Sequence, residues 1–221
     1  MDFDRTVGVV VGLQAEARIA RRLGWQVAVG GGTAAGAVTA AEHLAANGVQ
    51  GLVSFGLAGG LDPSLSPGTV IVPGSVLIDG ACQPTDPELS RLLGGATPHM
   101  ILAADAVVAS VEHKRRLHQG SGAAAVDLES GAVARVGLAH GIAFAVLRAV
   151  CDPAHRALPP AAGTSLDASG GIAVWRVLAS LLTQPGQLPA LVALARDAAL
   201  ARRALAARVM RIAPVPSERH R

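Results

Sequence analysis

Short unbroken apolar runs alternate along this chain with longer stretches in which apolar residues recur every three or four positions. Residues 7–11 form the first run, Gly12 turns it, and a helix follows over 16–23 with Arg18, Arg21 and Arg22 along it. A strand over 26–29 runs into Gly30-Gly31-Gly32-Thr33, where Thr33 can cap an alanine-rich helix ending near Asn47-Gly48. The next strand, 52–55, ends in a glycine-rich loop, Gly56-Leu57-Ala58-Gly59-Gly60. Residues 69–72 and 75–78 read as a meander, 82–95 as a polar loop with a short helix, and 100–104 as a further strand. Charged residues dominate 111–118, which reads as a helix with a solvated face.

From Ala123 the pattern is densest. A short buried strand ends in Asp127-Leu128-Glu129, and a helix follows with its apolar stripe at Ala132, Val133, Val136 and Ala139. Gly141 breaks that helix, residues 142–150 are a nearly continuous apolar run, and Pro153 stops the ladder just after Cys151 and Asp152. Residues 155–165, rich in Pro and Ala, read as an ordered loop or lid; a helix is expected over 171–182 and a long last helix over about 189–212. Buried strands alternating with helices predict the α/β class, a three-layer α/β/α arrangement around a central mixed sheet.

Composition narrows the function classes. The 221 residues suit one domain, taken as 1–213, with 214–221 expected as a disordered tail. The chain is 51% hydrophobic but only 2% aromatic, so its core is built from Ala, Val and Leu. A net charge of +3 is too small to argue for a nucleic-acid partner. Cys82 and Cys151 lie far apart and form no CxxC pair, which points away from a disulfide framework and towards a cytoplasmic setting. The first apolar run is too short for a signal peptide, and no uncharged apolar stretch reaches 18 residues.

Candidate chemistry gathers at strand ends. Glu129 and Asp152 are expected at the C-terminal ends of neighbouring parallel strands, where open α/β sheets bind ligands. The helix dipole favours Glu129 as an anion able to accept hydrogen bonds from a sugar diol. Asp152, with little polar company, suits partial burial and a raised pKa, as a general acid needs. The same acids also fit as a helix-start residue and a loop cap, and spacing alone leaves both readings open. Gly12 before a helix and Gly30–Thr33 before another can let backbone amides approach an anion, although close packing explains the glycines as well. Their spacing matches neither the Rossmann nor the P-loop pattern. His113 and His118 are five apart and share no face, so no metal is expected. The last helix carries an apolar stripe at Leu191, Leu194, Ala198, Ala201, Leu205, Val209 and Ile212, with arginines on the other faces. Such a helix packs on its own domain or on a partner subunit; lying on an anionic membrane surface is the open alternative.

Three segments carry a resemblance. VDLESGAVA (126–134), LRAVCDPA (147–154) and VSFGLAGGLDPSLSPGTVIVP (53–73) resemble the signatures of the nucleoside phosphorylase/nucleosidase family, in the same order. Within that family, GLQAEARIARRLG (12–24), ALPPA (157–161) and PGQLPAL (185–191) are similar to the hopanoid-associated phosphorylases. The resemblance implies cleavage of the N-glycosidic bond of a purine nucleoside, with adenosylhopane as substrate and adenine as product. It implies that Asp152 protonates adenine N7 and that Glu129 holds the 2′- and 3′-hydroxyls. Leu57, Ala58, Gly59, Val107, Leu128 and Cys151 would line the sugar and base pocket. Gly12, Gly31, Gly32 and Thr33, with Arg18, would seat phosphate. Leu57 stands where nucleosidases often have serine, and Val107 where a phenylalanine stacks on adenine. An ungapped alignment puts Ala17 where nucleosidases carry the water-activating glutamate and leaves Glu16 one residue early. Phosphorolysis, with phosphate as co-substrate and no other cofactor, is therefore favoured over hydrolysis. The alternatives are a hydrolytic nucleosidase for methylthioadenosine or S-adenosylhomocysteine, and a non-catalytic nucleoside-binding or membrane-associated accessory protein. A homo-oligomer in the cytoplasm is expected, with peripheral contact at the inner membrane surface through the last helix left open.

Overall fold

The computed structural model describes residues 6–159 and 188–212. Nine strands form one mixed sheet: β1 Val7–Val11, β2 Gln26–Val29, β3 Gly51–Gly60, β4 Val70–Ile71, β5 Pro73–Ile78, β6 Ala81–Pro84, β7 Thr97–Ala103, β8 Ala125–Asp127 and β9 Ala143–Asp152. Among the described residues, six α-helices accompany them: α1 Gln14–Ala20 (continued by a 3₁₀ turn, Arg21–Leu23), α2 Ala34–Ala46, α3 Pro87–Leu92, α4 Val111–Ser121, α5 Ser130–His140 and α6 Leu188–Ile212. β1 pairs in parallel with β2 and β3, and β3 pairs in parallel with β9. The far end of β3 turns to pair antiparallel with β8 at Gly59 and Gly60, and β8 continues the sheet through β7 and β5 to β6.

Strand periodicity divides the core between two faces. Leu52 of β3 and Phe144 and Val146 of β9 pack under α2 and α5 with Ala41, Leu44, Val133 and Val136. Val53, Phe55, Ala145 and Leu147 point the other way, onto Ala17, Leu89, Ala201 and Leu205 of α1, α3 and α6. This is the expected three-layer mixed-sheet architecture. Helix ends are capped as the residues dictate: Thr33 Oγ1 accepts from Gly36 N–H at 3.1 Å, Asp86 from Leu89 at 2.8 Å, and Ser110 from His113 at 3.1 Å.

Several local expectations are corrected. Residues 56–60 are not a loop; they extend β3 to Gly60. β4 and β5 form no meander, because β4 pairs with β9 while β5 pairs with β6 and β7. Part of the expected loop after residue 80 is strand β6, closed against β5 by Asp79 and Gly80, both at positive φ (51° and 79°). β8 and β9 are not neighbours, since β3 lies between them. α4 is not simply a solvated face, because Lys114 on it is fully buried.

The stripe of α6 divides into two parts. Ala201, Leu205 and Val209 are buried in the core, while Leu191, Leu194 and Ala198 line a cavity. Arg208 Nη1 secures the helix by donating to the carbonyls of Leu93 and Gly94, each at 3.2 Å. No helix among the described residues is long and apolar enough to cross a membrane. The expected helix over 171–182, most of the expected lid and the tail 214–221 lie outside the described residues.

Candidate active site

One cavity of about 640 Å³ opens where β1, β3, β8 and β9 end, with α6 as its outer wall. Its lining is apolar apart from a few residues, chiefly Glu16, Asp127, Glu129, Asp152 and Arg202. All four carboxyl residues are buried.

Glu16 enters because α1 begins directly after the turn at Gly12. Its Oε2 accepts from the backbone N–H of Gly12 (3.1 Å) and Leu13 (2.8 Å), and its Oε1 from Leu57 N–H (3.0 Å). Burial nevertheless raises its pKa, against the pull of Arg148 and these three donors. Glu129, the N-cap residue of α5, puts Oε2 3.1 Å from Arg148 Nη1, while its Oε1 is buried with no hydrogen-bond partner among the described residues. Burial is the largest influence on Glu129; despite Arg148, with Glu16 and Asp127 adding repulsion, its pKa is pushed up to about 7.

Beneath both acids lies Arg148, at 1% exposure. It pairs with Asp127 as well as Glu129, and its Nη2 donates to Ser54 Oγ at 2.6 Å. Ser130 Oγ closes the cluster by donating to Asp127 at 2.7 Å. One cation thus faces three carboxyls. Burial works against the Arg148 charge, but Asp127, Glu129 and Glu16 more than reverse that effect. Truncating one member of such a buried network costs about 3–5 kcal/mol, because it strands the others.

Asp152 closes the cavity from the end of β9. Its Oδ2 lies 2.5 Å from Lys114 Nζ, and its Oδ1 is buried without a hydrogen-bond partner among the described residues. Burial pushes its carboxyl pKa up, while Lys114 and Arg156 pull it down and Asp197 on α6 adds to the rise. Burial also raises the neighbouring Cys151 thiol to about 12, so it stays protonated near neutrality.

Gly12, Gly32, Leu57, Ala58, Gly59, Val107, Leu128, Glu129, Cys151 and Asp152, all singled out in the sequence, line this cavity. The proposed phosphate set is not brought together. Gly31 lines a separate crevice beside β2, Thr33 is an exposed helix cap, and Arg18 is exposed outside the cavity. The amides of Gly12 and Leu13 that an anion would use are taken by the carboxylate of Glu16. Gly12 has a different demand on it, since a Cβ there would sit 2.6 Å from Glu129 Oε1. At the position that the ungapped alignment assigns to Ala17, the side chain faces the core, and Glu16, one residue earlier, is the acid in the cavity.

Sequence reasoning missed Arg148 and Lys114. Arg148 stood in plain view as a lone arginine in an apolar strand run, a placement that requires buried partners. Lys114 sat in a charged stretch with nothing local to separate it from its exposed neighbours.

Solved structures with a similar fold include proteins named as a hydrolase and as nucleosidases. A futalosine hydrolase mutant of Helicobacter pylori superposes with a TM-score of 0.59 at 19% identity, over 66% of this chain and 88% of that one. S-adenosylhomocysteine nucleosidase of Streptococcus pyogenes gives 0.61 at 16%, over 70% and 86%. The methylthioadenosine/S-adenosylhomocysteine nucleosidase of Colwellia psychrerythraea gives 0.63 at 19%, over 79% and 93%. At these identities the likeness establishes the fold. No curated protein matches the chain. The family model described as the Phosphorylase superfamily matches residues 22–174, more than half of the sequence, and the chain belongs to that superfamily.

Proposed function

We propose that the protein cleaves the N-glycosidic bond of a 5′-substituted adenosine and releases adenine. The observation that carries this reading is the set of carboxyls Glu16, Glu129 and Asp152 around one apolar cavity, with an oxygen of Glu129 and of Asp152 left without a partner among the described residues. Glycosidic cleavage passes through an oxocarbenium-like state and needs an acid at the leaving group and negative charge near the sugar. Asp152 gives its proton to adenine N7 as the C1′–N9 electron pair moves into the base. Glu129 accepts hydrogen bonds from the 2′- and 3′-hydroxyls and stabilises the positive sugar. Glu16 takes a proton from the attacking water, whose oxygen bonds to C1′.

Hydrolysis is the form of the reaction that the position of Glu16 favours. A second reading, phosphorolysis, has one observation behind it: Arg202 of α6 stands in the cavity wall, where it could meet an anionic nucleophile. The apolar side chains that α6 adds, Leu188, Leu191, Val192 and Leu194, support a large apolar group at C5′. Adenosylhopane, which the resemblance to hopanoid-associated phosphorylases implies, is therefore the specific substrate we propose; methylthioadenosine and S-adenosylhomocysteine are the smaller candidates.

Adenine release from a 5′-alkyl adenosine, assayed with and without phosphate, tests this reading. Equal release in both, falling about 10²–10⁴-fold in Glu16→Gln, is the expected outcome. Release only with phosphate and insensitive to Glu16→Gln replaces hydrolysis by phosphorolysis.

A further inference from the structure

Lys114 is the only lysine in the chain, against eighteen arginines. It is fully buried on α4, and its ammonium has three N–H groups for three acceptors. These are Asp152 Oδ2 at 2.5 Å and the backbone carbonyls of Arg156 at 2.8 Å and Pro153 at 3.1 Å. The two carbonyls belong to the turn that follows β9, which Arg156 N–H closes onto Pro153 O at 3.1 Å. Lys114 is therefore fixed by backbone, independently of the carboxylate it meets. A solvated arginine–glutamate pair such as Arg91–Glu88 has no such anchoring.

We propose that Lys114 is a positioning residue for the acid step: it engages Oδ2 of Asp152 and so assigns the transferable proton to Oδ1. An oxygen that already accepts from an ammonium at this distance is a poor site for a second proton, whereas Oδ1 has no partner among the described residues. The proposal rests on the role given to Asp152 above. It explains why this acid can be buried without being locked in its neutral form. Burial alone would hold the proton too tightly to deliver, and a cation within contact distance counters it. Among the described residues, the other charged groups acting on Asp152 are Arg156, from the turn after β9, and Asp197, from α6; these pair with each other, leaving Lys114 as the described cation in direct contact.

The test uses the full chain with Lys114→Gln and Lys114→Met, and two substrates with the same 5′ group. One is the adenosine, whose leaving group must be protonated; the other is a 4-nitrophenyl riboside, whose phenolate leaves without a proton. Loss of about 10²-fold or more on the adenosine, with the nitrophenyl riboside nearly unaffected, is expected. The descending limb of the pH–rate profile moves up by about one to three pH units once the opposing charge is gone. Equal loss on both substrates, or a limb that stays in place, makes Lys114 merely structural and overturns the proposal. Asp152→Asn run in parallel separates the failures. If it is selective for the adenosine and the Lys114 variants are not, only the proposal falls; if it too is unselective, Asp152 is not the acid and both readings fall. Should the Lys114 variants not fold, ¹³Cε-lysine labelling of the otherwise unaltered chain decides, because it yields a single signal. That signal shifts in Asp152→Asn if the contact holds; a signal unmoved by that change overturns the proposal.

Discussion

Glu129 is where the energetics of folding and of function conflict most openly. Its carboxyl titrates at about 7 in the folded chain rather than at the usual 4.5, because burial outweighs the help of Arg148. A raised pKa means the folded state holds the proton more tightly than the unfolded chain. Its stabilising contribution is complete below about pH 4.5 and is lost as pH rises through about 7. Thermal melting followed across that window should show stability falling with pH, and Glu129→Gln should flatten the slope. An unchanged slope in the variant would assign the dependence to another group. In the proposed reaction catalysis runs the opposite way, since the ionised form is needed beside a positive sugar. The ascending limb of activity should therefore lie near pH 7, where the folded protein has given up some stability.

Elements set these side chains by their ends. β1 stops at Gly12, α1 starts two residues on, and Glu16 falls one turn in with its carboxylate back over the strand end. Gly12 allows this because its missing side chain is where Glu129 Oε1 passes, and Gly56 does the same for Arg148 and Glu16. Gly12→Ala would place a methyl 2.6 Å from Glu129 Oε1, so the carboxyl must move. Kinetics of this variant should show roughly 10²-fold lower kcat from a displacement near 1 Å; full activity would mean that Glu129 is not positioned through Gly12. At this scale much was legible in the sequence. Apolar runs located the central strands, and Thr33, Gly141 and Pro153 marked their helix and strand ends. Asp79-Gly80 was a readable hairpin signal, since both residues adopt positive φ, but the polar residues after it suggested loop instead. What stayed hidden depends on pairing across the sheet. Nothing local reveals that β3 bends to meet β8, or that Lys114 turns inward to Asp152 from a helix of exposed charges. Glu16 was obscured by one position of alignment, which only the start of α1 resolves.

Across the whole molecule, the sheet gathers its acids and α6 encloses them. The helix is anchored in the core by Ala201, Leu205 and Val209, and its first turns give the cavity an apolar wall. Arg156 and Asp197 tie that wall to the strand end that carries Asp152. In the proposed reaction the acid Asp152 and the surface facing the rest of the substrate are thereby linked through one ion pair. An apolar enclosure also strengthens each electrostatic contact inside it. The most direct test of this arrangement is adenine release by Asp152→Asn, measured beside its affinity for the same 5′-alkyl adenosine. The substitution keeps the shape of the side chain and removes the proton. Retained binding with turnover reduced about 10²–10⁴-fold is the predicted result. Unchanged adenine release would contradict it and remove the cavity's acid from the chemistry.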